Sequence, residues 1–370
     1  MKLKGKIKFT NPEQNQFYNV LRKRVDQYFI DKKISKHANG AMIIKTVVLM
    51  LAYLLPLVYM AINAAPQGVV YVLYTFIGLA LAGIGMSIMH DANHGAYSSS
   101  DTVNKWVGLS LNLCGGNVTN WKLQHNILHH TYTNIVHMDD DIADRLVLKM
   151  NPHTAVKWYH AFQPIYAFFF YGLLTLYWVV AKDFVQFNQF INNKVNTNTR
   201  SQNARMFIGI ILAKLLHIGL FVLIPIFILG YAAPTVLLGF IVMHFVAGFI
   251  LTLVFQLAHT VDETSHPLPN DEGNIENDWA IHQMNTTVNF SPDNAILSWY
   301  VGGLNYQVEH HLFPRICHVH YPAIAKIVQQ TALEFNVPYL QHNSFTGAVA
   351  SHVRALQKFG KLPSLNEAIG

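Results

Sequence analysis

Five long apolar stretches, roughly residues 46–63, 69–89, 161–181, 206–230 and 235–258, leave this chain few ways to fold. Each is near the ~20 residues that a membrane-spanning helix needs. The connections Ala64-Ala65-Pro66-Gln67-Gly68 and Tyr231-Ala232-Ala233-Pro234 carry no charge and read as tight turns between antiparallel helices, so the spans come as two hairpins. Eleven of the 26 Lys and Arg fall in the first 45 residues, a basic block that stays on the cytoplasmic side. With the N-terminus inside, the first hairpin returns the chain to the cytosol at His90. If 161–181 also crossed, the second hairpin would be inverted and the histidines beyond it would emerge on the far side. Eight aromatics lie between 161 and 181, which suits a helix at headgroup depth rather than a span. A shorter apolar run, Trp106–Cys114, dips into the interface without crossing.

The expected fold is therefore an all-α integral membrane protein: four transmembrane helices (46–63, 69–89, 206–230, 235–258), interfacial helices including 161–181, and a His-rich helical cytosolic cap. Three parts follow, a basic cytosolic segment at 1–45, a membrane domain at 46–340 and a cytosolic tail at 341–370. The last 50 residues read as two amphipathic helices broken near Pro338. At 52% hydrophobic and 12% charged the chain is too apolar for an ordinary soluble domain and too polar for spans alone. No nucleic-acid motif accompanies the basic residues, so nucleic acid is not an expected partner. Two cysteines, Cys114 and Cys317, cannot build a disulfide framework, and no cleavable signal precedes the first apolar run.

Against this frame stand three histidine clusters in polar stretches: His90/His94, His125/His129/His130 and His310/His311. On a continuing helix an i,i+4 pair lies on one face about 6 Å apart along the axis, a chelating geometry. Neighbours such as His129 and His130 point about 100° apart and can serve different metals. Counting His259, which follows the last span, eight imidazoles are available, enough for two metal ions. Gln307 opens the third cluster as an oxygen ligand or as a donor that orients one, and Asp91, Asn93, Asn126, Asn134 and Asn305 sit among the ligands as candidate partners for imidazole N–H groups. Other polar residues are expected to be structural. His217 and His244 fall inside spans and suit interhelical hydrogen bonds. His244 lies about 22 Å of helix from His259, out of reach of that site, and Lys214 is expected to snorkel toward the cytosolic edge. Asp139, Asp140 and Asp141 read as a solvated loop, and His137, His266, His282, His318 and His320 as non-ligands.

The order H-x3-H, H-x3-H-H and Q-x2-H-H, in the strings HDANHGAYS, TNWKLQHNILHHTYTN and GGLNYQVEHHLFP, resembles the membrane-bound fatty acid desaturases over about residues 40–340. The glutamine that opens the third box is similar to the front-end branch, which includes linoleoyl-CoA (delta-6) desaturases. The resemblance implies two irons held by His90, His94, His125, His129, His130, His310 and His311, with His259 at the position of the family's extra ligand. It also implies dioxygen as co-substrate and a fatty acyl substrate, as acyl-CoA or acyl-lipid. Zinc is excluded for such chemistry, because taking hydrogen from an unactivated methylene needs an oxidant made by reducing O2 at a redox-active metal. The chain departs from many front-end enzymes in having no HPGG heme motif, so electrons are expected from a separate ferredoxin- or cytochrome b5-type protein. These features point to a bacterial inner membrane with the site facing the cytoplasm. A hydroxylase on the same scaffold is the sister alternative. A metal transporter or sensor is a more distant one, since the spans hold little that is polar beyond Lys214, His217, His244 and Gln256.

Overall fold

A computed structural model describes residues 7–11, 15–143 and 147–361. Lys2, Lys4 and Lys6 of the basic segment and 362–370 of the expected tail lie outside the described residues. The chain divides into two compact units. The first comprises Met1–His37, Gln124–Ala167 and Val254–Gly370, and the second Ala38–Leu123 and Phe168–Leu253. The principal helices in chain order are α1 Asn15–Lys32, α2 Gly40–Ile62, α3 Gln67–His94, α4 Lys122–His129, α5 Trp158–Gly172, α6 Leu174–Asn192, α7 Arg200–Ile228, α8 Ala233–His259, α9 Trp279–Thr286, α10 Gln307–Leu312, α11 Tyr321–Glu334 and α12 Phe345–Phe359. Strand structure among the described residues is confined to two short parallel pairs, Lys8–Phe9 with Asn274–Ile275 and Asn289–Phe290 with Gln341–His342.

Four helices, α2, α3, α7 and α8, are long and apolar enough to cross a membrane, in the two hairpins that the uncharged turns predict. Helix α2 begins ahead of its apolar run because Asn39 caps it, its Oδ1 accepting from Met42 N at 3.1 Å, and this draws Lys45 into the helix. Helix α7 opens on a capping box, Gln202 N donating to Thr199 Oγ1 and Gln202 Oε1 accepting from Thr199 N. Tyr231 ties the two turns together: its hydroxyl lies 2.8 Å from Asn63 O and 3.0 Å from Ala65 N. The stretch expected as one interfacial helix at 161–181 is instead two helices, α5 and α6, meeting at a bend of 52°.

The second unit packs its helices through small residues, as lipid-embedded helices do when van der Waals contact replaces the hydrophobic drive. A Cβ on Gly78 would lie 2.5 Å from Met243 O, and one on Gly248 would lie 2.7 Å from Gly172 O. Pro225 removes the N–H that an α-helix would aim at Phe221 O, and the Tyr74 hydroxyl donates to that carbonyl at 2.6 Å. Gly248→Ala is therefore expected to push α8 off the α5 terminus and cost about 1–3 kcal/mol. A lower thermal transition of the detergent-solubilised protein would register it.

A buried polar network crosses the same unit. His217 Nε2 and His244 Nε2 are 3.0 Å apart, joining α7 to α8, while His244 Nδ1 lies 3.1 Å from Thr175 Oγ1. Lys214 does not snorkel. Its ammonium is buried, donating to Gly115 O at 2.5 Å, to Trp178 O at 2.8 Å and to the Asp183 carboxylate. The expectation failed because it treated the lysine as alone, whereas α6 delivers a carboxylate to it.

In the first unit α1 lays Phe17, Leu21, Val25 and Phe29 on Ile324, Ala325, Val328 and Ala332 of α11. The two amphipathic helices expected around Pro338 are α11 and α12, and Ser344 caps α12 by accepting from Gly347 N at 3.1 Å.

Candidate metal centre

Each histidine cluster lies at or within a helix: the first ends α3, the second occupies α4 and the residue after it, and the third lies in α10. In the second unit His90 and His94 occupy the last turn of α3, which stops at Gly95 in a left-handed conformation (φ 76°) that glycine adopts without strain. Their rings are 4.7 Å apart, and both stand edge-on to Trp121. Asn93 Nδ2 donates to Gly108 O at 3.2 Å, and Asp91 is buried beside it in the same turn.

The remaining histidines belong to the first unit. Helix α4 is a π-helix rather than the α-helix assumed from the sequence, so His125 and His130, five apart, share a face with Nε2 atoms 3.3 Å apart. His125 and His129 still stack, with centroids 5.2 Å apart. Donor nitrogens of His129, His259 and His311 lie within 4.8 Å of one another, and so do those of His130, His310 and His311. His311 belongs to both triads.

What the far nitrogens do decides which atoms face the centre. His129 Nδ1 lies 3.0 Å from Asp139 Oδ2, His311 Nδ1 2.7 Å from Gln283 Oε1, and His259 Nδ1 3.3 Å from Thr286 O. Each of these oxygens only accepts, so each imidazole carries its proton on Nδ1 and leaves Nε2 unprotonated, the form that can bind a cation. His310 Nδ1 lies 3.1 Å from the Tyr321 hydroxyl, which can donate or accept. His129 is fully buried, and its Nε2 has no hydrogen-bond partner among the described residues. A buried imidazole nitrogen without a partner is costly in a folded protein, and a metal ion satisfies it. The residues thus fit a metal on an observation of their own geometry.

Electrostatics point the same way. Burial, reinforced by His130, His259, His129 and His310, holds His311 well below the usual histidine range, so it is neutral and ready to ligate near pH 7. At His129 burial also opposes the charge, but Asp139 and Asp141 outweigh it and raise the pKa, which makes this ring the more basic donor. Asp139 is the residue that the solvated-loop expectation misplaced. It is buried, accepts from Asn134 N at 3.0 Å as well as from His129, and takes Asp141 N on its other oxygen at 3.0 Å. Gln124 donates to Asp141. Asp139→Asn is expected to weaken metal binding roughly 10- to 100-fold with the fold intact. Chelator competition on the purified protein measures this.

The other candidates divide. Asn134 Nδ2 donates to His259 O at 2.9 Å and so holds that ligand's backbone. Gln307 Nε2 is 2.8 Å from His259 Nε2 and 3.3 Å from His311 Nε2, placing this amide directly against two donor atoms. Asn305 binds Ser291 O and Ser298 Oγ and braces a loop instead of a ring. Asn126 is half-buried on α4. His282 donates to Thr133 O at 2.8 Å with its pKa pushed down to about 4 by burial, and His320 donates to His37 O at 3.0 Å. Among the described residues neither belongs to a group that could hold a metal, nor do His137 and His266, whereas His318 falls in one together with Cys317. Gln283, Thr286 and Tyr321 escaped sequence reasoning altogether, since nothing in their local pattern marks them as partners of histidines far along the chain.

With this geometry in hand, comparison with known proteins is direct. The profile of the fatty acid desaturase family matches residues 66–343, a stretch that takes in all eight histidines. The chain is 34% identical over 349 residues to the sn-1 linoleoyl-lipid 6-desaturase of Arthrospira platensis, covering 94% of this chain and 93% of that protein. It is also 34% identical over 359 residues to the protein of the same name from Synechocystis sp., covering 96% of this chain and 98% of that one. An acyl-lipid (8-3)-desaturase of Physcomitrium patens is 33% identical, covering 96% of this chain and 74% of its own length. Family profile, relatives and histidine-bearing helices agree, and the chain belongs to the fatty acid desaturases, oxidoreductases of lipid metabolism.

Proposed function

We propose that this desaturase introduces a cis double bond on the carboxyl side of an acyl chain, at the 6 position of a linoleoyl group held as an acyl-lipid or acyl-CoA. Two irons, ligated by His90, His94, His125, His129, His130, His259, His310 and His311, supply the reduction of dioxygen that attack on an unactivated methylene requires. The observation that carries the reading is the common orientation of His129, His259 and His311, with Nδ1 given to an oxygen and Nε2 turned inward. The relatives named sn-1 linoleoyl-lipid 6-desaturase support the regiochemistry, since they align over nearly their whole length.

The protein's own residues do the positioning. Asp139, Gln283 and Thr286 fix three rings in one tautomer, and Tyr321 fixes His310. Gln307 sits beside His259 and His311 as a further ligand or as the amide that orients them. Asp91, Asn93, Asn126 and Asn305 complete the surroundings of the boxes. Helices α2, α3, α7 and α8 cross the bilayer, with α5 and α6 at the interface. That keeps every histidine box on the cytoplasmic side of a multi-pass protein, in a bacterial inner membrane. A separate ferredoxin- or cytochrome b5-type protein delivers two electrons per turnover.

The test is fatty acid analysis, with double-bond location by mass spectrometry, of cells expressing the chain and fed linoleate, beside a His310→Ala/His311→Ala control. A new Δ6 acid that disappears in the control is expected. A hydroxylated acid would move the assignment to the sister oxygenase, and a double bond at another position would overturn the regiochemistry alone.

A further inference from the structure

The last carbonyls of a helix have no partner within it and must find one elsewhere. At the end of α8, which carries His259, they are met one by one from different parts of the first unit. Ala258 O accepts from Val288 N at 3.0 Å, and His259 O from Asn134 Nδ2 at 2.9 Å. The next carbonyl, Thr260 O, is met by His352 Nδ1 of α12 at 2.6 Å. Beside it Ser351 Oγ accepts from Asp262 N at 3.0 Å and donates to Glu263 Oε2 at 2.7 Å, and Arg354 Nε pairs with Asp262 Oδ2 at 2.6 Å. From the near side His342 reaches Glu263 at 3.2 Å. Ser351 and His352 are both fully buried, so these are committed contacts rather than surface encounters. Helix α12 lies beyond residue 343, where the family match ends.

We infer that α12, through Ser351 and His352, is the positioning element for His259: it fixes the turn by which the chain leaves that ligand, and so sets how tightly metal is held there. The inference rests on the reading of His259 as a ligand. The His259 ring is held at Nδ1 by a 3.3 Å bond to Thr286 O, longer than the Nδ1 bonds of His129 and His311, so its placement leans more on its backbone. His352 acts on the peptide one residue beyond that ligand, through Thr260 O.

The test is titration of the purified full-length chain in detergent with Fe(II) alone, in competition with a chromophoric chelator. His352→Ala is expected to weaken Fe(II) binding roughly 10-fold, at the low end for residues that support a ligand, with helix content and elution volume unchanged. His352→Asn, whose side-chain N–H takes the place of Nδ1–H, is expected to restore it. In a His259→Ala background the same His352→Ala change should have no further effect, because both act on one ligand; a purely structural role would lower affinity equally in both backgrounds. Should His352→Ala fail to fold, Ser351→Ala carries the same expectation with a smaller change of volume. Wild-type affinity in a folded His352→Ala or Ser351→Ala protein, or additive losses in the double variant, would overturn the brace. If the wild-type chain itself takes up no Fe(II), the metal reading is what fails.

Discussion

His311→Ala is expected to abolish desaturation and to lower iron content further than the same change at His130 or His259. The reason is geometric. His311 is shared by the two first-unit triads made of histidines alone, so its loss opens the coordination of each. It also leaves the Gln283 carbonyl oxygen, now paired at 2.7 Å, without its imidazole donor, and removes one of the two ring nitrogens beside Gln307. Losing a residue that merely supports a ligand costs about 10- to 100-fold in metal affinity, and losing a shared ligand should exceed that. Metal content of the purified variants, measured beside product formation, checks the ranking. Equal iron in the His311→Ala and His130→Ala proteins would contradict a shared role.

The second large effect lies away from the histidines. Lys214→Met should destabilise the second unit by about 3–5 kcal/mol, because it leaves the Asp183 carboxylate buried without its cation. Its remaining donors, Trp178 Nε1 at 3.0 Å and Asn120 Nδ2 at 3.4 Å, are neutral and cannot replace an ammonium. The converse change, Asp183→Asn, leaves the buried ammonium with neutral acceptors alone, among them Gly115 O and Trp178 O. Replacing both by apolar residues, Lys214→Met with Asp183→Leu, should recover much of the loss, since the cost of a buried ion pair is its desolvation. Thermal unfolding of the three variants in detergent distinguishes this from a surface pair. Single variants as stable as the wild type would mean that the pair is hydrated after all.

These two cases mark what the sequence could and could not yield. The spans were legible because membrane thickness imposes a length on apolar runs. The histidine boxes were legible because helical spacing places their side chains on one face. Tertiary partners were not. Asp183 meets Lys214 from another helix, and Gln283 meets His311 from 28 residues upstream, with no local pattern to announce either. Asp139 lies only ten residues from His129, yet the intervening turn, with Asn134 at φ 58°, is what carries it back to the ring. The π-helical winding of α4 was equally hidden. It brings the i,i+5 pair His125 and His130 together where α-helical spacing favours i,i+4. The bend between α5 and α6 escaped for a related reason: the Gly172 contact with Phe245 and Gly248 depends on a helix distant in sequence.

The most direct test of the account is the metal content and Mössbauer spectrum of the purified full-length chain grown with enriched iron. Two irons per chain in nitrogen-rich coordination, lost on His311→Ala, is the result expected. A folded chain that carries zinc, or that keeps its iron unchanged in the His311→Ala variant, would contradict the assignment of these histidines as the ligands of a di-iron centre.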